Sequence, residues 1–132
     1  GDLHSRDWTF SWYEPVSSRN GGDPGISDGG ACGGSVSSGC NTDGFVAAVN
    51  AAALCGFRDW RLPSVKELQT IVNAATRAPA IDTDYFPNTV PSRYATSVTA
   101  AFSTDSAWAT DFSDGKAVTQ QKNLLYPVRL VR

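Results

Sequence analysis

An α+β fold is the expectation for this chain, and three observations lead to it. The first segment alternates and is rich in aromatics, two middle stretches carry helical apolar spacing, and short alternating segments divided by turn residues close the chain. Residues 7–13, DWTFSWY, read as an early strand. From Pro15 to Cys40 nearly every residue is Gly, Ser, Asp, Asn or Pro, so this is a long surface loop in need of a staple or a bound ligand. Residues 42–55 place Phe45, Val49 and Ala52 or Ala53 on one face, with Thr42 able to cap and Gly56 just past the end. Ser64 and Glu67 form a capping-box pattern that opens a second helix, with Val65, Leu68, Ile71 and Val72 facing inward. Strands are expected over 93–98, 107–112, 116–120 and 125–131, with Asp114-Gly115 marking a hairpin. The expected core is Trp60, Leu62, Leu68, Ile71, Trp108, Phe112, Val128 and Leu130.

At 132 residues the chain reads as one domain, 1–132, long enough to bury most of its apolar surface. Its charge density is low, 18% charged residues beside 12 glycines and 7 prolines, which suits a loop-rich module rather than a coiled coil or a disordered tail. A net charge of −2 leaves no basic footprint for phosphate backbones, so nucleic acid is excluded as a partner. No apolar run approaches the roughly 20 residues that span a bilayer. Direct membrane insertion is therefore not expected, and a signal or anchor would lie upstream of Gly1.

Cys32 and Cys40 flank a small-residue loop that brings them within disulfide range at little strain, and we expect them to be bridged. Cys40 and Cys55 flank the first helix, whose ends would lie about 20 Å apart, well beyond disulfide reach. Cys55 is left as a buried thiol or as the partner of a cysteine upstream. Zinc is not expected, because there is no CxxC and the single histidine, His4, is distant in sequence.

The runs GFRDWRLPSVKELQTIV, AIDTDYFPNT and AWATDFSDG, with the terminal YPVRLVR, resemble the C-terminal domain family of the Legionella collagen-like adhesin. The likeness extends over nearly the whole chain. It implies a C-type-lectin-like fold in which the first and last strands pair, two helices pack on antiparallel strands, and the later strands and long loops form a ligand face. It also implies an exported protein, either extracellular or held at the cell surface. Some members are similar to adhesins that bind sulfated glycans, for which a trimer on a stalk would be suitable. Others resemble the variable proteins of diversity-generating retroelements. Two departures stand out: the strand motif reads YATS where an aromatic is expected after Tyr94, and the strand that usually precedes DWTFSWY is missing.

On this reading the variable-type ligand face covers about 93–125. Its exposed side chains are Arg93, Thr96, Thr99, Ser103, Asp105, Thr110, Asp111, Ser113, Lys116, Thr119, Gln121 and Asn123. Hydroxyl, amide and carboxylate groups at this density suit adaptable hydrogen bonding to a protein or glycan on another surface, although antiparallel strands are commonly polar on a solvated face. A sulfated glycan would be met by Arg93, Lys116, Lys122 and Arg129. Calcium is the one cofactor to weigh, since related lectins hold sugar through it. Asp82, Asp84, Asp105, Asp111 and Asp114 form no tight ligand triplet, so no cofactor is expected. Asp82 and Asp84 read as turn formers, and Asp59, Arg61 and Glu67 as a structural network around the second helix. The fold is also similar to that of formylglycine-generating enzymes, but the strands after Tyr94 contain neither Cys nor His, so the chain is read as a non-enzyme.

Overall fold

The structure is a computed structural model and describes residues 5–34, 36 and 39–132. His4 lies outside the described residues. Secondary structure is α+β: β1 (Phe10–Ser11), α1 (Thr42–Ala51), α2 (Val65–Gln69), β2 (Arg93–Thr99), β3 (Ser106–Asp111), β4 (Lys116–Gln121) and β5 (Leu125–Tyr126). The first and last strands pair antiparallel, Phe10 with Tyr126 and Ser11 with Leu125. The other three form an antiparallel sheet in the order β2-β3-β4. Asp114-Gly115 closes the β3–β4 hairpin as expected. Gly115 has φ +83°, and a Cβ there would press on the Val72 side chain at 2.6 Å, so both conformation and space require glycine.

Most elements are shorter than their sequence patterns. Asn41, not Thr42, caps α1 by accepting a hydrogen bond from Gly44 N at 2.7 Å. Thr42 is instead buried, its hydroxyl exchanging hydrogen bonds with the backbone N–H and carbonyl of Tyr13 and so tying α1 to the first segment. The helix stops at Ala51 rather than 55, because Ala53 takes left-handed geometry (φ 50°) and Arg58 donates to the last carbonyls, those of Asn50 and Ala51. The strands expected over 7–13 and 125–131 shrink to two residues each. Isolated bridges at Thr9, Tyr13 and Val131 carry the chain on either side of them.

In α2 the capping box is present: Ser64 Oγ accepts from Glu67 N at 3.1 Å, and the Glu67 carboxylate accepts from Ser64 N at 2.9 Å. The helix nevertheless runs only five residues. Thr70, Ile71 and Val72 are β-branched, their N–H groups bond three residues back, and Thr70 Oγ1 donates to Glu67 O at 2.6 Å. Asn73 then turns away to bond Ala80 O.

The inner face of the three-stranded sheet, Ala95, Ala107 and Ala109, packs on Trp12 and Tyr126, with Leu62, Val118 and Val128 around them. A second cluster joins Phe10, Val36, Phe45 and Val49, and a third joins Leu68, Ile81, Tyr94 and Phe112. Leu68 and Phe112 are buried as expected. Trp60, Leu62, Ile71, Trp108, Val128 and Leu130 are only half-buried, while Trp12, at 1% exposed, is a centre of the core that the helical periodicity does not reveal.

Arg61 grips the Glu67 carboxylate with two hydrogen bonds of 2.7 Å. Asp59, expected in the same network, pairs instead with Arg132. The bonds from Arg61 first, and then Ser64 N–H, pull the Glu67 carboxyl from an ordinary value of 4.5 to about 2. A depressed carboxylate contributes stability that is whole above about pH 4.5 and is lost as pH falls towards 2. Glu67→Gln should therefore flatten the acid limb of a urea-midpoint against pH curve. Parallel losses in both proteins over that range would mean the pair carries no pH-dependent stability.

Candidate ligand-binding face

The β3–β4 register puts Trp108 opposite Thr119, Thr110 opposite Ala117 and Ser106 opposite Gln121, all on the face away from Trp12. Helix α2 lies on part of that face, where Gln69 Nε2 donates to Thr110 Oγ1 at 3.3 Å and Leu68 meets Tyr94 and Phe112. Five helical residues span only about 7.5 Å. The Trp108–Thr119 end is left uncovered. There Phe102, from the β2–β3 loop and 74% exposed, stands edge-on to Trp108 with ring centroids 6.4 Å apart.

The residues expected to form one polar face do not come together as one. Thr96 and Thr110 are fully buried and must be withdrawn from it: Thr96 Oγ1 donates to Trp108 O at 2.7 Å, and Thr110 sits under Gln69. The irregular register between Ala95 and Thr99 is what turns Thr96 inward. Thr99 is half-buried and donates to Asn20 O at 2.9 Å. The remainder divides between the two ends of β3, about 17 Å apart at the rise of a strand.

At the hairpin end, Asp111 accepts from Ser113 N–H at 2.9 Å and from Ser113 Oγ at 2.6 Å, with Arg93 Nε 3.6 Å from its other oxygen. Burial opposes the Asp111 charge, but the Ser113 donors and Arg93 outweigh it and hold the carboxyl below its ordinary value. Lys116 lies 4.0 Å from Asp114. At the other end Ser103 and Ser106 donate to Asp105, and Asp105, Gln121 and Asn123 line a notch of about 190 Å³ with Asp23, Gly25, Ile26 and Lys122. Thr119 lies between the two ends beside Trp108.

Of the four cations considered for a sulfated glycan, Lys122 is 2% exposed. Its ammonium donates to Asn20 O at 3.0 Å and Asp23 O at 2.6 Å and stands 4.2 Å from the centre of the Trp12 ring. Burial pushes its pKa down, while Asp23 and Asp105 hold it up. Arg129 lies over Phe86 and Tyr94 and donates to Thr89. Only Arg93 and Lys116 remain exposed, each beside a carboxylate.

Cys32 and Cys40 form the expected disulfide, with Cα atoms 5.6 Å apart. Cys55 is an exposed free thiol, so its burial is corrected: left-handed backbone at Ala53 and Cys55 carries it out of the helix face that would have hidden it. Asp82 accepts from Asp84 N–H at 2.9 Å, the turn-forming role expected of it. Among the described residues, no three His, Cys, Asp or Glu side chains gather as a metal would require, and no helix is long and apolar enough to cross a membrane.

Phe102 is not among the residues the sequence points to, and Trp108, expected in the core, is only half-buried. A lone phenylalanine in the small-residue loop TAAFSTDS is the signal that marks the pair, since burial cannot explain it there.

Fold and face together define a disulfide-stapled α+β domain with one sheet face half covered. The profile of the Lcl C-terminal domain family matches residues 5–132, and the chain belongs to that family. No curated protein and no solved structure matches it.

Lys122→Ala would strand the Asp23 carbonyl, leave Asn20 O to Thr99 alone among side chains and open space against Trp12, which should destabilise the domain by roughly 2–4 kcal/mol. Hydrogen exchange should accelerate first at Ile26, whose N–H bonds Trp12 O. A loss below about 0.5 kcal/mol, ordinary for a surface site, would show that the loop does not depend on this lysine.

Proposed function

We propose that this chain is the ligand-binding domain of an exported bacterial surface protein, displaying its recognition residues on the β2–β4 sheet and adjoining loops. The observation that carries the proposal is the Phe102–Trp108 pair. An exposed aromatic set edge-on against a half-buried one supplies an anchor of the kind that dominates binding interfaces. Thr119, Gln121, Asn123 and Ser103 supply adaptable polar groups around it. The Cys32–Cys40 bridge supports an oxidising, extracellular location, and family membership supports a surface-protein setting. No catalytic role and no cofactor belong to this reading. Within it, 93–125 is the stretch that a diversity-generating retroelement would vary.

A protein or neutral glycan ligand accords better with this face than a sulfated one, because two of the four cations considered are engaged elsewhere. Trimeric display on a stalk remains compatible with it.

The experiment is a glycan and protein array on the purified domain, followed by the same measurement on Phe102→Ala. That change should weaken binding by about tenfold or more, as loss of an aromatic anchor does. The melting temperature should scarcely move, since the ring is mostly exposed. Full binding by the variant would remove this face from consideration.

A further inference from the structure

A separate cleft lies where the first segment meets the start of α1. Its volume is about 350 Å³, and its lining joins the apolar groups of Trp12, Tyr13, Val46, Trp60 and Leu62 to the charged groups of Glu14, Arg19, Asp43 and Arg61. Three of the four charged groups are engaged. Glu14 Oε1 accepts from Arg19 Nη2 at 3.2 Å and from Val16 N–H at 3.0 Å, and Arg61 is committed to Glu67. Asp43 is different: among the described residues its carboxylate has no hydrogen-bond donor and no ion pair within 4 Å. Burial, and then the neighbouring Glu14, raise its pKa, with Arg19 acting weakly in the other direction. Nor is Asp43 needed to begin the helix, because Asn41 is the cap.

We infer that this cleft receives a Lys or Arg side chain of a protein partner, its stem lying along Trp60, Val46 and Leu62 and its cationic head on Asp43. The charge at the open carboxylate fixes the sign of the occupant. The apolar walls leading up to that charge fit a long aliphatic stem with a polar tip, the form these two side chains take at interfaces. Trp60 is a firm wall, since its backbone N–H and carbonyl are both held by the Asn50 amide and its indole N–H donates to Leu54 O. Arg19, 65% exposed at its side chain, lines the cleft and is the cation that acts on Asp43, so it competes for the site. The inference is independent of the Phe102 reading.

The test is an amide and indole N–H NMR titration of the whole domain with three probes: acetyl-Ala-Lys-Ala-amide, its norleucine counterpart, and pentylamine. The lysine peptide should give saturable shifts at the Trp60 indole and at the amides of Tyr13, Asp43 and Val46. Asp43→Asn should weaken it by about fivefold, the scale of a solvent-accessible ion pair, without lowering the melting temperature. Arg19→Ala should strengthen it. Equal binding of the norleucine peptide, indifference to Asp43→Asn, or the absence of saturable shifts would overturn the inference. Pentylamine binding more tightly than the lysine peptide would overturn the protein partner in favour of free amines. None of these results bears on the Phe102→Ala experiment.

Discussion

The fold depends on one arrangement, a buried ammonium set between a tryptophan face and two main-chain carbonyls. Lys122 stands over Trp12 and bonds Asn20 O and Asp23 O, while Trp12 N–H bonds Lys122 O and the Trp12 indole donates to Thr96 O at 2.8 Å. An unpaired charge in such a place would be strongly unfavourable, so the loop that supplies the carbonyls and the lysine that needs them must order together. This is how a segment with almost no apolar content acquires a fixed path. Other main-chain bonds extend it: Ser11 Oγ to Ile26 O, Asn41 Nδ2 to Ser27 O, and Ile26 N–H to Trp12 O. Gly25 is needed where the loop meets Trp12, because its φ is +81° and a Cβ would strike the Trp12 carbonyl.

That arrangement occupies the inner face of the sheet, and its consequence appears on the other. With Trp12 and Tyr126 filling one side, the sheet requires little from α2 beyond covering Tyr94 and Phe112. The helix can end after five residues, and the aromatic pair beyond it stays in contact with solvent. Tyr126 also closes the far edge, its hydroxyl shared between the carbonyls of Gln120 and Gln121 at 2.7 and 2.9 Å. Gln121 O, which the register points away from β3, is thereby withdrawn from strand pairing with another chain.

Local signals were legible in the sequence wherever a short motif determines its own geometry. The Ser64–Glu67 capping box, the Asp114-Gly115 turn, the Cys32–Cys40 bridge and the three later strands follow from neighbours a few residues apart. The pairing of the first and last strands was implied by the family resemblance. Lengths were less legible, because Thr70-Ile71-Val72 continues an apolar helical spacing while its hydrogen bonds tighten. Least legible was anything set by distant partners. Nothing near Lys122 in sequence predicts that the carbonyls of Asn20 and Asp23 will bury it, and nothing near Thr96 predicts the register shift that turns it inward. Trp108 was misplaced for a related reason: whether a strand tryptophan is covered depends on how far a helix forty residues earlier extends.

The division between anchored and unanchored side chains bears directly on what such a domain can be used for. Anchoring relies heavily on the main chain of the long loop, met by a few fixed side chains: Ser11, Trp12, Asn41, Thr99 and Lys122. The hairpin end is also committed, with Asp111, Ser113 and Asp114 forming the turn itself. By contrast Thr119, Gln121 and Asn123 form no side-chain hydrogen bond among the described residues, and the Phe102 ring meets only Trp108 among the aromatics. Substitutions at these four positions disturb neither the buried ammonium nor the sheet, so their individual effects on stability should be small. A surface that can change while its scaffold stays fixed therefore lies at the uncovered end of the sheet, and the polar residues of the hairpin are part of the scaffold.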